Sequence, residues 1–164
     1  MTNNKMFDCQ QMFRHACAFA DCADMAEAKF RSDTADIEWY TTPAIVNSAF
    51  ACEVYLKALL LFHDIKNKRE HALKNLYDML PDRIKDFIVP TVLKACGTWT
   101  DPFGFEQIDL ISNAFKEWRY YYEDLGSTRT AISINRSFLK AFRNALREAC
   151  CEQFFSKTWE EYQR

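Results

Sequence analysis

The sequence predicts an all-α protein, and three observations support this fold class. Only three Gly and four Pro occur in 164 residues, which leaves few of the turns that an all-β chain needs. Apolar residues recur at intervals of three and four along most of the chain, as on one face of a helix. The stretch from Thr42 to Phe62 is apolar nearly all round, which is typical of the central helix of a domain. We therefore expect an up-and-down bundle of four main helices and one or two short ones.

The first two helices are predicted from different sequence features, an apolar face for the first and a helix start for the second. The first, from about Lys5 to Arg31, is predicted by one face of small and apolar residues. The central helix is predicted from its start, with Thr42 as N-cap and Pro43 in the first helical position. It is expected to end near His63, before a polar loop over 65–70.

Proline residues divide the next part of the chain. A short helix is predicted over 71–80, and Pro81 is expected to stop it. A turn or helix that buries Ile84 and Phe87 follows, and Pro90 is expected to interrupt it before a further short helix over 91–95.

Two longer helices are predicted in the C-terminal part. An ordered loop over 98–104 precedes a helix from Phe105 to about Glu123, and Gly126 breaks that helix. The last helix, about Asn135 to Phe155, buries one apolar face. No linker or repeat divides the chain, so residues 1–164 are predicted to form a single domain.

Composition excludes several classes of protein. Hydrophobic residues make up 49% and aromatic residues 15% of the chain, which favours a packed fold over disorder. The net charge of -2 argues against a strongly basic nucleic-acid binder. Glu53 and Lys57 interrupt the best candidate for a membrane span, and the N-terminal residues do not resemble a signal peptide. The seven Cys form no C-x-x-C, so we expect reduced thiols in the cytoplasm, no metal site and no cofactor.

Charged residues within apolar helix faces form the main candidate site. Glu53 and Lys57 lie four residues apart in the central helix, as do Arg119 and Glu123 in a later one. An unpaired buried charge is costly, so these residues need partners or a polar pocket, and Arg119 could fork onto Glu53. Two interpretations stay open: a buried ion-pair network that fixes helix register, or a cleft in which Arg119 binds a phosphate. Tyr120 would be a further ligand contact in the second case.

Three strings in the chain resemble bacterial HEPN-domain proteins. They are residues 48–60 (SAFACEVYLKALL), 71–81 (HALKNLYDMLP) and 115–123 (FKEWRYYYE). The resemblance implies a four- or five-helix bundle that commonly forms a homodimer, with paired sites in a cleft between the subunits. It also implies one of two functions. Many members are metal-independent endoribonucleases that use an Arg and a following His, and others bind RNA, a nucleotide or a cognate partner protein in toxin–antitoxin or defence systems.

The chain matches only half of the implied ribonuclease motif. Arg119 corresponds to the motif's Arg, but the positions expected for the His hold Asp124, Leu125 and Gly126. Without that imidazole the motif supplies no general acid or base near neutral pH. We therefore expect a binding domain without nuclease activity. The alternative is a divergent endoribonuclease in which Arg119 stabilises the transition state and His71 or Glu123 moves the proton.

Other interpretations of these residues stay open. His71 could instead cap or orient the start of the short helix. A third possible function is a structural assembly module that docks a partner through the aromatic loop Trp99 to Phe105.

The last predicted helix carries a basic stripe. Its members fall within one narrow arc, and they are Arg136, Lys140, Arg143 and Arg147. Such a stripe can follow the phosphates of an RNA strand, with tyrosines such as Tyr120 as stacking groups. The alternative is a solvated outer face that is balanced by acidic residues of the first helix.

Overall fold

The computed structural model describes residues 3–29, 37–67, 69–96, 103–112, 114–115 and 134–164. All regular secondary structure in these ranges is helical, which confirms the predicted all-α class. The helices are α1 (Asn3–Lys29), α2 (Ile37–Phe62), α3 (Leu73–Asp78), α4 (Asp82–Cys96), α5 (Phe103–Ile111), α6 (Arg136–Phe155) and α7 (Trp159–Gln163).

Helix α2 is the centre of the packing, as its sequence predicts. It packs along α1 on one side and against α6 on another, and α6 also packs against α4. Cys52, Leu56 and Leu60 of α2 have no exposed surface. Among the described helices, the segment Tyr40–Phe62 is long and apolar enough to cross a membrane by length and composition. Most of it is buried inside the protein, as expected for a core helix.

The start of α2 differs from the prediction. The helix begins at Ile37, so Thr42 is not its N-cap and Pro43 lies inside it. The fixed φ of Pro is compatible with a helix, and its missing N–H removes only one hydrogen bond near the helix start. The Asn47 side chain donates a hydrogen bond to the Pro43 carbonyl oxygen at 2.8 Å. A favourable start signal therefore does not prevent the helix from extending further towards the N-terminus.

Pro90 does not interrupt the helix that contains it, so the prediction of a separate helix over 91–95 is wrong. One helix, α4, runs from Asp82 to Cys96 with Pro90 on its exposed side. Its inward face is continuous across the proline, since Ile88 and Val92 are both buried. The Thr91 hydroxyl donates to the Phe87 carbonyl oxygen at 2.9 Å, next to the bond that the proline removes. Burial of this face outweighs the lost backbone bond.

Helix α5 ends at Ile111, and a turn at Ser112 interrupts the predicted helix before residues 114–115, which are helical again. The Ser112 carbonyl oxygen and hydroxyl accept the backbone N–H groups of Leu73 and Lys74, both at 3.0 Å. These two bonds satisfy free donors at the start of α3, where Ala72 provides no side-chain cap. The turn therefore links two short helices, which helical periodicity alone could not indicate. Residues 116–123 of the predicted helix lie outside the described residues.

The C-terminal part agrees with the prediction for α6 and adds one helix. The Asn135 side chain caps α6 by accepting the Phe138 N–H at 3.0 Å. Helix α7 was not predicted, although Thr158 and Glu161 form a capping box with the Ser/Thr-x-x-Glu spacing. Its Trp159 and Tyr162 rings pack on Phe13 of α1, with ring centroids 6.2 and 5.3 Å away.

We predict that buried apolar residues of α2 contribute more to the free energy of unfolding than exposed apolar residues do. Leu56→Ala should lower the free energy of unfolding by about 2–5 kcal/mol, because it leaves a cavity at a fully buried position. Leu110→Ala is the matched control, since that side chain is 53% exposed, and it should change stability by less than about 0.5 kcal/mol. Urea unfolding of both variants measures the difference. Equal losses would contradict this description of the core.

Candidate ligand-binding site

A buried carboxylate on α2 is the anchor of the candidate site. The Glu53 side chain is only 4% exposed, and its Oε1 accepts a hydrogen bond from Lys57 Nζ at 2.8 Å. His71 Nδ1 lies 2.9 Å from the same oxygen. The second oxygen, Oε2, is also buried and has no hydrogen-bond partner within the described part of the chain. We call Glu53, Lys57 and His71 the polar cluster.

The loop before α3 places His71 on Glu53. The Glu70 carboxylate accepts the backbone N–H groups of His71 and Ala72, each at 2.8 Å. It also accepts from the Asn75 side chain at 3.0 Å. The bond from Ala72 and then that from Asn75 hold the pKa of the Glu70 carboxyl below its usual range. Glu70, not His71, therefore supplies the acceptor at this helix start, and the His71 ring is available for Glu53.

The polar cluster runs from the interior to the surface. Side-chain exposure increases from 4% at Glu53 through 20% at Lys57 to 67% at His71. Within the described ranges, the second ring nitrogen of His71 makes no hydrogen bond. Lys and His donors suit phosphate oxygens, and an imidazole held by a carboxylate suits proton transfer.

The polar cluster includes only some of the residues predicted for the site. The expected pair between Glu53 and Lys57 is present, and His71 joins it through Glu53 rather than by capping α3. Arg119, Tyr120 and Glu123 lie outside the described residues, so the contact between Arg119 and Glu53 stays a prediction. Helical spacing could not indicate the bond to His71, because that bond joins two elements across a loop.

Arg143 differs from the prediction of an exposed basic stripe. Its side chain has no exposed surface, although the sequence places it on a polar face of the helix. Its guanidinium donates to Asp24 Oδ1 at 2.6 Å, to the Ser48 hydroxyl at 2.9 Å and to the Ala20 carbonyl oxygen at 3.3 Å. A long side chain can reach between helices when buried acceptors satisfy its charge. Arg143 therefore has no surface available for a phosphate.

Two other members of the stripe also have partners within the protein. Lys140 forms ion pairs with Asp24, at 3.2 Å, and with Glu27, both on α1. The Arg147 guanidinium lies 4.2 Å from the centre of the Trp159 ring, a cation–π contact with α7. Arg136 is exposed at the start of α6. For Lys140 and Arg143 the contacts are those of the alternative, in which acidic residues of the first helix balance the basic ones.

The described cysteines form no disulfide with one another, and the most buried ones are unreactive. Cys9, Cys52, Cys150 and Cys151 are free and buried. Burial raises the pKa of the Cys52 and Cys151 thiols to about 12, so both are protonated near neutral pH. Over the ranges that the structure covers, no group of three His, Cys, Asp or Glu residues could hold a metal ion. These thiols serve as small apolar core groups.

Comparison of the chain with models of protein families, with curated proteins and with solved structures finds no match. The resemblance to HEPN-domain proteins therefore stays a prediction from the three strings quoted above.

The Asp24–Arg143 pair should make stability depend on pH. Partial burial raises the pKa of the Asp24 carboxyl, but hydrogen bonds and charges from Arg143 and Lys140 outweigh burial and lower it overall. Since the pKa is lower in the folded state, the stabilisation is complete above the unfolded value of about 3.9. It is lost as the pH falls through the folded value.

We predict that Asp24→Asn lowers the free energy of unfolding by about 1–2 kcal/mol at pH 7. This is the lower part of the range for bonds to charged groups, because Asp24 is 40% exposed. The deficit should begin to shrink below about pH 4, where the carboxyl of the unfolded wild type takes up a proton, and it should be lost once the folded carboxyl does so too. Urea unfolding at pH 7 and pH 3 measures it, with the exposed Asp109→Asn as control. An equal deficit at both pH values would contradict the assignment.

Proposed function

We propose that this chain is a HEPN-like domain that binds the phosphate groups of RNA or of a nucleotide at the polar cluster, without cleaving them. The observation that carries the proposal is the Glu53 carboxylate, which holds a lysine and a histidine at increasing exposure. Its site residues are Glu53, Lys57 and His71, with Arg119 and Tyr120 added by the resemblance and the sequence pattern.

The charges of the polar cluster favour an anionic ligand. Glu53 neutralises one positive charge, Lys57 still presents N–H donors towards the surface, and the second nitrogen of His71 becomes a donor when the ring is protonated. Because Glu53 accepts from both, it fixes the positions of two donors before any ligand arrives, which lowers the entropy cost of binding. Donors of this type form the stronger, charge-assisted hydrogen bonds with phosphate oxygens.

The proposal includes a cellular setting that the resemblance implies. The chain would act as a homodimer in the cytoplasm, in a toxin–antitoxin or defence system. The reduced cysteines support the cytoplasm, because disulfides are rare there. A domain that binds a cognate partner protein, or an assembly module that docks through Trp99 to Phe105, would instead co-purify with its partner and show no affinity for RNA.

We predict that His71→Ala and Lys57→Ala each weaken binding of a single-stranded RNA oligonucleotide by about tenfold, the loss expected for one charge-assisted hydrogen bond. Fluorescence anisotropy with labelled RNA, and calorimetry with ATP, measure the change. Lys94→Ala is the matched control, because it removes an exposed lysine of α4 outside the polar cluster. His71→Ala is the more informative variant, since a side chain that is 67% exposed contributes little to folding.

Unchanged affinity in both cluster variants, with the fold intact, would contradict the proposed site. Binding that is lost equally in Lys94→Ala would indicate a diffuse electrostatic effect rather than a site.

One observation favours a second candidate function, a metal-independent endoribonuclease. The bond from Glu53 to His71 Nδ1 orients an exposed imidazole and leaves its other nitrogen for proton transfer. His71 would remove the proton from a ribose 2′-hydroxyl, whose oxygen attacks the adjacent phosphorus. The bond from phosphorus to the 5′-oxygen breaks, and that oxygen takes up a proton. Arg119 would stabilise the charge on phosphorus, with Glu123 as the other possible proton carrier.

A cleavage assay in chelator separates the two functions. The binding function predicts that labelled RNA stays intact. The endoribonuclease predicts fragments that end in 2′,3′-cyclic phosphate and disappear in both His71→Ala and Arg119→Ala. Cleavage that persists in His71→Ala would exclude His71 as the proton carrier.

A further inference from the structure

The Glu53 carboxylate uses only one of its two oxygens. Oε1 accepts from Lys57 and lies at hydrogen-bonding distance from His71, whereas Oε2 is buried and has no partner among the residues that the structure describes. A buried acceptor without a donor is unfavourable, and native structures rarely leave one at a charged group. The side chain is 4% exposed, so bulk water reaches Oε2 poorly.

The free oxygen belongs to a residue that is fixed in place. Its two contacts, at 2.8 and 2.9 Å, hold the carboxylate from both the helix and the loop before α3. One of these contacts, His71, is the most exposed member of the polar cluster. Among the described contacts of Glu53, His71 therefore lies nearest the surface, on the side from which a ligand would approach.

The required ligand has an anionic group and a neighbouring hydrogen-bond donor. Lys57 and His71 suit the anion, and Glu53 Oε2 can only accept a hydrogen bond. In RNA, each 3′-phosphate lies beside a ribose 2′-hydroxyl, which is a donor that DNA lacks.

We propose that Glu53 Oε2 accepts a hydrogen bond from a ribose 2′-hydroxyl, so that Glu53 makes the site specific for RNA over DNA. This inference rests on the proposed function, since it assumes that nucleic acid binds at the polar cluster. Glu53 acts here as a specificity-determining residue, and Lys57 and His71 contact the phosphate in either nucleic acid.

The test compares three oligonucleotides of one sequence: RNA, DNA and RNA with 2′-fluoro groups. The fluoro sugar keeps an RNA-like shape but has no hydrogen to donate. The wild-type protein should bind RNA about tenfold more tightly than the other two, the effect of one hydrogen bond to a charged acceptor. In Glu53→Gln the preference should fall towards onefold, because the charged acceptor is lost and the neutral amide that replaces it forms only a weaker hydrogen bond with the hydroxyl. Glu152→Gln, at an exposed acid of α6, should keep the wild-type preference.

Each outcome decides the inference. Equal binding of RNA and DNA by the wild type, or a preference that survives in folded Glu53→Gln, overturns it and leaves the proposed function standing. Wild-type affinity for 2′-fluoro RNA equal to that for RNA overturns it too, and that arm needs no variant if Glu53→Gln does not fold. No binding of any of the three overturns the proposed function as well.

Discussion

The hydrogen bond between the Glu53 carboxylate and the His71 imidazole joins the most buried helix to the loop that precedes α3. A carboxylate at 4% exposure within an apolar helix must be satisfied, and Lys57 alone satisfies only part of it. The path of the loop follows from this requirement, since Glu70 fixes the backbone of His71 so that its ring meets the carboxylate. The only histidine in the polar cluster is therefore positioned from the core outwards.

The other buried charge of the described chain, Arg143, has an exposed partner that is itself paired within the protein. Each buried charge contacts a more exposed partner, which is Asp24 for Arg143 and His71 for Glu53. Asp24 is bound by Arg143 and also by Lys140, so this pair is balanced within the protein. Among the described residues, His71 is bound on one nitrogen only, and Glu53 Oε2 has no partner, as is also true of Arg143 Nε. The first arrangement holds α1, α2 and α6 together, and the second leaves donors and an acceptor for a ligand.

Periodicity and capping predicted most of the helices, because they depend on neighbours within four residues. The central helix and α6 were found in this way. Pro43 and Pro90 gave wrong boundaries. Burial of the continuous face of α4 outweighs the break at Pro90, and the φ of Pro43 is compatible with a helix that begins earlier. The same limit applies to the site. The Glu53–Lys57 pair follows from spacing, but the contact with His71 and the burial of Arg143 depend on tertiary packing, which a single sequence does not encode locally.

Nitrogen-15 NMR of the His71 ring tests its hydrogen bond to the Glu53 carboxylate. If the Glu53 carboxylate holds this imidazole, neutral His71 carries its proton on Nδ1, which then donates to the carboxylate. We therefore expect this tautomer in the wild type and a marked change of the ring nitrogen chemical shifts in Glu53→Gln. A ring with its proton on Nε2, and with shifts that do not respond to Glu53→Gln, would contradict it.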